Sequence, residues 1–331
     1  MKALVIEKPG TALVKELPVP EAGDGEVLVR VMHSGICGTD IHIFRGEYFG
    51  EYPVVPGHEF SGVVEQVGKS VKRFSPGDRV AIEPNVACDN CSACLNNRQN
   101  FCENWNGIGV TLPGGMAEYA CVPEKAVFPI GSIPFEHGAF VEPLACVIHG
   151  VERARIRGGD RVLIAGAGPI GLLLAQVIRL HGASCIAQAD VNADRLHLAQ
   201  ECGADAAYAS LQEAPAEAFD VVVDATGVIP VMEQCLKHVR KGGTVLLFGV
   251  PPKEGQLTLP AFTLFQHGLT VLSTFTSVRN SLQAVRLLES GSVDVSSLVS
   301  HILPLEGFED GVKLIESGTD GVKKVLIKPK E

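Results

Sequence analysis

The chain has 331 residues, with 28 Lys+Arg against 38 Asp+Glu and a formal net charge of −10. Hydrophobic residues make up 46% and charged residues 20%, which excludes a disordered chain because there is ample apolar material for a core. The acidic balance excludes a general nucleic-acid binder, and no apolar run reaches the ~20 residues that span a bilayer.

At roughly 100–200 residues per domain the length predicts two domains. The opening residues Met1–Ile6 are followed at once by Glu7, Lys8 and Pro9, so no export signal heads the chain and a cytoplasmic, reducing compartment is expected. There the ten cysteines read as metal ligands or catalytic groups more readily than as disulfides.

Taken in order, the first ~150 residues read as β-rich. Short β-branched runs at Val27–Met32, Gly62–Val67 and Asp78–Ile82 are separated by Gly, Pro and Asp punctuation. Within this region lie Gly35-Ile36-Cys37-Gly38-Thr39-Asp40-Ile41-His42, then Pro56-Gly57-His58-Glu59, and further on Val141-Glu142-Pro143-Leu144-Ala145-Cys146. Together Cys37, His58, Glu59 and Glu142 supply one thiolate, one imidazole and two carboxylates, a set able to hold zinc with an exchangeable position. Between them, Cys88-x-x-Cys91-x-x-Cys94 and then Cys102 stand among polar residues that cannot build a core. Four thiolates at that spacing can close tetrahedrally on a structural Zn²⁺. An iron–sulfur cluster of ferredoxin type is disfavoured by the long gap to the fourth cysteine and by Glu103 after it.

From Asp160 the pattern changes to apolar strands alternating with helix-like stretches: Arg161–Ala165, Ile170–His181, Ser184–Ala189, Ala193–Cys202, Asp220–Asp224, Val231–Val239, Thr244–Phe248 and Leu269–Ser273. That alternation predicts βαβ units and a parallel sheet. The first strand runs into Gly166-Ala167-Gly168-Pro169-Ile170-Gly171 and a helix. The first glycine makes the tight turn, the second lets backbone approach a pyrophosphate at the helix N-terminus, and the third lets helix and strand pack. Asp190 closes the next strand, where a carboxylate accepts from both ribose hydroxyls of NAD and repels the 2′-phosphate of NADP. Arg195 is expected to pack over the adenosine ribose. The last ~40 residues, with short strands at Leu298–Leu303 and Val325–Lys328, read either as an extension of this sheet or as a return to the first domain.

These stretches, in this order and approximate spacing, resemble the zinc-dependent medium-chain alcohol/polyol dehydrogenases (sorbitol, arabinitol and threonine dehydrogenase-like) over essentially the whole chain. The resemblance implies an α/β architecture: a GroES-like β-rich catalytic domain, residues 1–150 and 290–331, with a structural zinc lobe at 88–102, interrupted by a Rossmann NAD-binding domain at 151–289. It implies that Cys37 and His58 are the first two catalytic zinc ligands, with Glu59 and Glu142 competing for the third place. It implies a proton relay through Thr39 to His42, packing of Cys146 and Ile170 around the nicotinamide, and backbone contacts from Phe248, Gly249 and Val250 to its carboxamide. Glu142, where ethanol-type enzymes place a cysteine, points to the polyol branch and a secondary alcohol of a sugar alcohol as substrate. Phe275-Thr276-Ser277 stands where sorbitol dehydrogenases usually carry Phe-Arg-Tyr, which argues against sorbitol itself. L-threonine, vicinal diols and simple alcohols stay as alternatives. A homodimer or homotetramer is expected, with Leu269–Ser273 a candidate interface, and neither nucleic acid nor membrane as partner.

Overall fold

The computed structural model describes residues 1–48, 50–318 and 321–330. The chain divides into two compact units: Met1–Ala145 together with the segment from Ser277 onward, and Cys146–Thr276. The division differs from the expected boundaries at 150 and 290. Ser277–Glu289 belongs to the first unit because the buried carboxylate of Glu83 reaches across to it, accepting from the hydroxyls of Ser277 (2.8 Å) and Ser281.

The first unit opens with a hairpin of β1 (Lys2–Lys8) and β2 (Thr11–Glu16). Next come β3 (Glu26–Gly35), α1 (Gly38–Arg45), β4 (Glu59–Val67), β5 (Arg79–Ile82), β6 (Tyr119–Pro123) and β7 (Val127–Pro129). The helix α2 (Val141–Ala154) runs from this unit into the next.

The second unit contains β8 (Arg161–Ala165), α3 (Pro169–Leu180), β9 (Cys185–Ala189), α4 (Ala193–Glu201), β10 (Ala206–Tyr208), β11 (Phe219–Asp224), α5 (Ile229–Cys235), β12 (Val239–Leu247), α6 (Ala261–His267) and β13 (Thr270–Ser273). Its six strands form one parallel sheet in the order β10-β9-β8-β11-β12-β13. Val162–Ile164 and Val221–Val223 are buried on both faces, as a parallel sheet covered by helices requires. The order reverses between β8 and β11, so the ends of those strands form the switch point at which such sheets bind ligands. The stretch Val231–Val239 reads as a helix by apolar spacing, but the helix ends at Cys235 and Val239 opens β12, paired with Phe219. Strand pairing overrides the local spacing there.

The chain then returns through α7 (Ser281–Glu289), β14 (Val299–Leu303), α8 (Phe308–Ser317) and β15 (Lys324–Ile327). β15 pairs antiparallel with β3, Leu326 opposite Gly35, in a sheet ordered β14-β15-β3-β4-β5-β7 with β6 also on β3. Val29, Val31, Phe60, Val80 and Val122 fill its core. The pairing of β15 with β3 carries the C-terminal residues to the start of α1. No helix among the described residues is long and apolar enough to cross a membrane.

Candidate metal and cofactor sites

Two groups of side chains in the first unit are arranged to hold a metal. In the lobe, the ligand atoms of Cys88, Cys91, Cys94 and Cys102 all lie within 4.8 Å of one another. The sulfur of Cys88 is 4.0 Å from that of Cys94, and that of Cys91 is 3.9 Å from that of Cys102. Four thiolates at ~2.3 Å from a tetrahedral zinc stand ~3.8 Å apart, so the donor set fits the ion. The sulfur of Cys102 accepts the N–H groups of Cys88 (3.2 Å) and Asn104 (3.3 Å). The Asn90 N–H beside the Cys88 thiol brings its pKa down to about 6, whereas burial pushes that of Cys94 up to about 12. Metal binding here must therefore release protons. The apolar support is slight: Ala87, Cys94 and Cys102 are buried, with Trp105 packed beside them. None of the ten cysteines takes part in a disulfide.

The second group is Cys37, His58 and Glu59, again within 4.8 Å of one another. Cys37 caps α1, where the bend out of β3 leaves its thiol half-buried; His58 and Glu59 stand at the start of β4 and are buried. A thiolate, an imidazole and a carboxylate at this separation suit zinc and leave a fourth position open. Glu142 is buried in the first turn of α2 but lies outside this three-residue set.

The supporting residues were not singled out by sequence. Asp40 is fully buried; one oxygen accepts the Cys37 N–H (2.8 Å) and the other accepts the Gly57 N–H (3.1 Å). The second oxygen also stands 3.5 Å from Nδ1 of His58. Burial opposes charge on His58, yet Asp40 and Cys37 outweigh it and raise the imidazole pKa well above its usual value. Lys324, from β15, is buried against Glu59 as an ion pair. An aspartate one turn into a helix reads as a cap, and a lysine near the C-terminus reads as solvated, so neither carries a sequence signal. Thr39 and His42 lie three apart on α1, hence on one face. Nδ1 of His42 is 2.9 Å from the Glu47 carboxylate, also unexpected from the sequence.

In the second unit, Gly166 has φ 105°, a conformation that favours glycine, and its N–H bonds the Ala189 carbonyl at 2.7 Å. A Cβ on Gly171 would stand 2.1 Å from the Gly166 carbonyl oxygen, so only glycine allows α3 to approach the strand end so closely. Gly168 caps α3 and Pro169 occupies its first turn, leaving helix N–H groups for an anion. Asp190 accepts the N–H groups of Ala167 (2.7 Å) and Asn192 (2.9 Å), one on each oxygen. A carboxylate has about four acceptor sites, so both oxygens can still accept ribose hydroxyls. Arg195 follows in the first turn of α4, whose N-cap Asn192 accepts its N–H at 3.1 Å. Its Nε is buried without a partner among the described residues.

Ile170 and Cys146 are half-buried, while Val250 is 52% exposed. Phe248 and Gly249 follow β12, and their N–H groups both bond the Asp224 carbonyl, at 2.9 and 3.0 Å. The fully buried Asp224 carboxylate accepts from Thr226 and Gly227; burial raises its pKa despite those bonds. Asp224 thus organises the loop that carries Phe248 and Gly249, a role the sequence did not suggest.

Comparison with known proteins agrees with this chemistry. Residues 23–132 match the alcohol dehydrogenase GroES-like domain, and residues 169–290 match the zinc-binding dehydrogenase model. The chain is 38% identical to D-altritol 5-dehydrogenase of Agrobacterium fabrum over 92% of this chain and 93% of that protein. It is 35% identical to D-arabinitol dehydrogenase 1 of Uromyces fabae over 99% and 97%. A solved zinc-binding dehydrogenase from Sinorhizobium meliloti, bound to NADP, superposes with a TM-score of 0.94 at 35% identity, covering 99% of both chains. The chain belongs to the zinc-dependent medium-chain alcohol dehydrogenase family, with a GroES-like domain and a Rossmann domain. It is an NAD(P)-dependent oxidoreductase acting on alcohols.

Proposed function

We propose that the protein oxidises a secondary alcohol of a polyol with NAD⁺, holding its catalytic zinc on Cys37, His58 and Glu59. The observation that carries the substrate class is full-length similarity to dehydrogenases of D-altritol and D-arabinitol. When bound, zinc acts as a Lewis acid that polarises the substrate oxygen and lowers the pKa of its hydroxyl. Asp40, 3.5 Å from Nδ1 of His58, would orient the imidazole so that Nε2 serves as the donor atom. Glu142, the other candidate for the third place, would serve the same centre directly or through water. The four lobe cysteines hold a second, structural zinc.

The Thr39 hydroxyl accepts the substrate proton and passes its own to His42. The carboxylate of Glu47 fixes the His42 proton on Nδ1, leaving Nε2 to receive the transferred one. Gly166, Gly168, Pro169, Ile170 and Gly171 seat the pyrophosphate, and Asp190 takes the ribose hydroxyls. The negative charge of Asp190 favours NAD over NADP, with Arg195 lying over the ribose rather than on a phosphate. Cys146 and Ile170 pack on the nicotinamide, while Phe248, Gly249 and Val250 contact its carboxamide.

Thr276 at φ 50° and Ser277, committed to Glu83, stand where the sorbitol-type arginine and tyrosine would be, which supports a polyol other than sorbitol. The cytoplasm suits a chain whose ten cysteines form no disulfide. A homodimer or homotetramer is supported by the edge strand β13 and by Phe262 and Phe265 of α6, 72% and 83% exposed. Light scattering at the mass of a single chain would contradict it.

The test of substrate is initial-rate reduction of NAD⁺ and NADP⁺ with pentitols, hexitols, simple alcohols and L-threonine. A polyol with NAD⁺ should give the highest kcat/KM. A higher value for L-threonine would overturn the polyol reading.

A further inference from the structure

A buried cation stands against the cluster of Cys37, His58 and Glu59. Lys324 and Glu59 are 7% and 1% exposed, and the ammonium of one lies against Oε2 of the other. Cys37 and Asp40 also lie within electrostatic reach of that ammonium. Burying two ions costs several kcal/mol each unless they are well paired, so a lysine here is not an incidental contact. The backbone is shaped around the pair. A Cβ on Gly35 would stand 2.2 Å from Oε2 of Glu59 and 2.7 Å from Cε of Lys324. Leu326 pairs with Gly35, which fixes the height at which β15 delivers the lysine.

Glu59 is thus claimed from two sides, by Lys324 and by a metal held on Cys37 and His58.

We propose that Lys324 is a positioning residue that competes with the metal for the Glu59 carboxylate and keeps it from closing fully on the ion. This inference rests on the metal reading of Cys37, His58 and Glu59 given above. Held by the ammonium, Glu59 stays a weak or intermittent third donor. Without the ammonium, the carboxylate binds the metal tightly and raises the negative charge around it.

The test uses the full-length protein loaded with Co²⁺, whose visible absorption reports the number and type of ligands. Wild type is compared with Lys324→Met, Glu59→Gln and the double variant. Lys324→Gln keeps a polar end in the site and serves if the methionine variant does not fold. Removing the ammonium should change the cobalt spectrum and slow metal release to a chelator by about tenfold, the scale on which outer-shell partners act. It should also lower kcat more than it changes KM. Glu59→Gln in the Lys324→Met background should return both the spectrum and the release rate toward wild type. An unchanged spectrum and release rate in Lys324→Met would make the pair merely structural and overturn the proposal. A wild-type protein that takes up no cobalt at this site would instead overturn the metal reading itself.

Discussion

Asp40 shows how much one side chain can organise. It holds the Cys37 and Gly57 N–H groups and stands beside Nδ1 of His58, so it aims both expected ligands from behind. Asp40→Asn keeps the shape but weakens that hold, and about 10–100-fold lower metal affinity is expected, read by competition with a chromophoric chelator. Affinity equal to wild type would mean that His58 needs no such partner. Cys37, His58 and Glu59 were legible in the sequence because their types and order carry chemistry. Asp40 and Lys324 were not, because their roles arise only when α1, β4 and β15 meet. Asp224 was hidden for a similar reason: an acid at a strand end looks solvated until the loop after β12 buries it.

At the scale of elements, the parallel sheet was the most readable part. β8 and α3 lie within about a residue of their expected bounds, since apolar runs and helical spacing alternate there without conflict. The close contact between Gly171 and the Gly166 carbonyl explains why the turn requires glycine. Gly171→Ala should cost about 1–3 kcal/mol by thermal or denaturant unfolding and should weaken NAD⁺ binding by titration. Full stability with unchanged binding would remove the packing argument.

Asp220, on β11, ties two neighbours to the sheet. Burial pushes its pKa up, but the Arg161 N–H and the Arg240 guanidinium bring it below the usual aspartate value. A depressed carboxylate stabilises the fold above its unfolded pKa, and that contribution is lost as pH falls through the folded one. Asp220→Asn should therefore cost about 1 kcal/mol at neutral pH, with the difference shrinking in acid. A difference that persists below the aspartate range would assign the effect to shape instead of charge. Elements with mixed polarity were harder to see. α7 and α8 span only 9 and 10 residues and carry no motif that marks them in the sequence, and apolar spacing alone runs the preceding helix into the start of β12.

Across the whole molecule, the sequence carried the pairing of a β-rich catalytic unit with a Rossmann unit, and the structure moved the second division from 290 to 277. No local pattern marks that point; it depends on Ser277 and Ser281 reaching Glu83, far away in sequence. Cys37, His58 and Glu59 are proposed to form a working metal centre separate from the cysteine lobe. Counting zinc per chain in wild type and in Cys37→Ser, with turnover assayed on the same samples, tests it most directly. Wild type should hold about two zinc ions per chain, one for each donor set. Cys37→Ser should hold about one, in the lobe, and should lose turnover while staying folded. Wild type with no more than the lobe zinc, or a Cys37→Ser variant with full activity, would contradict the claim.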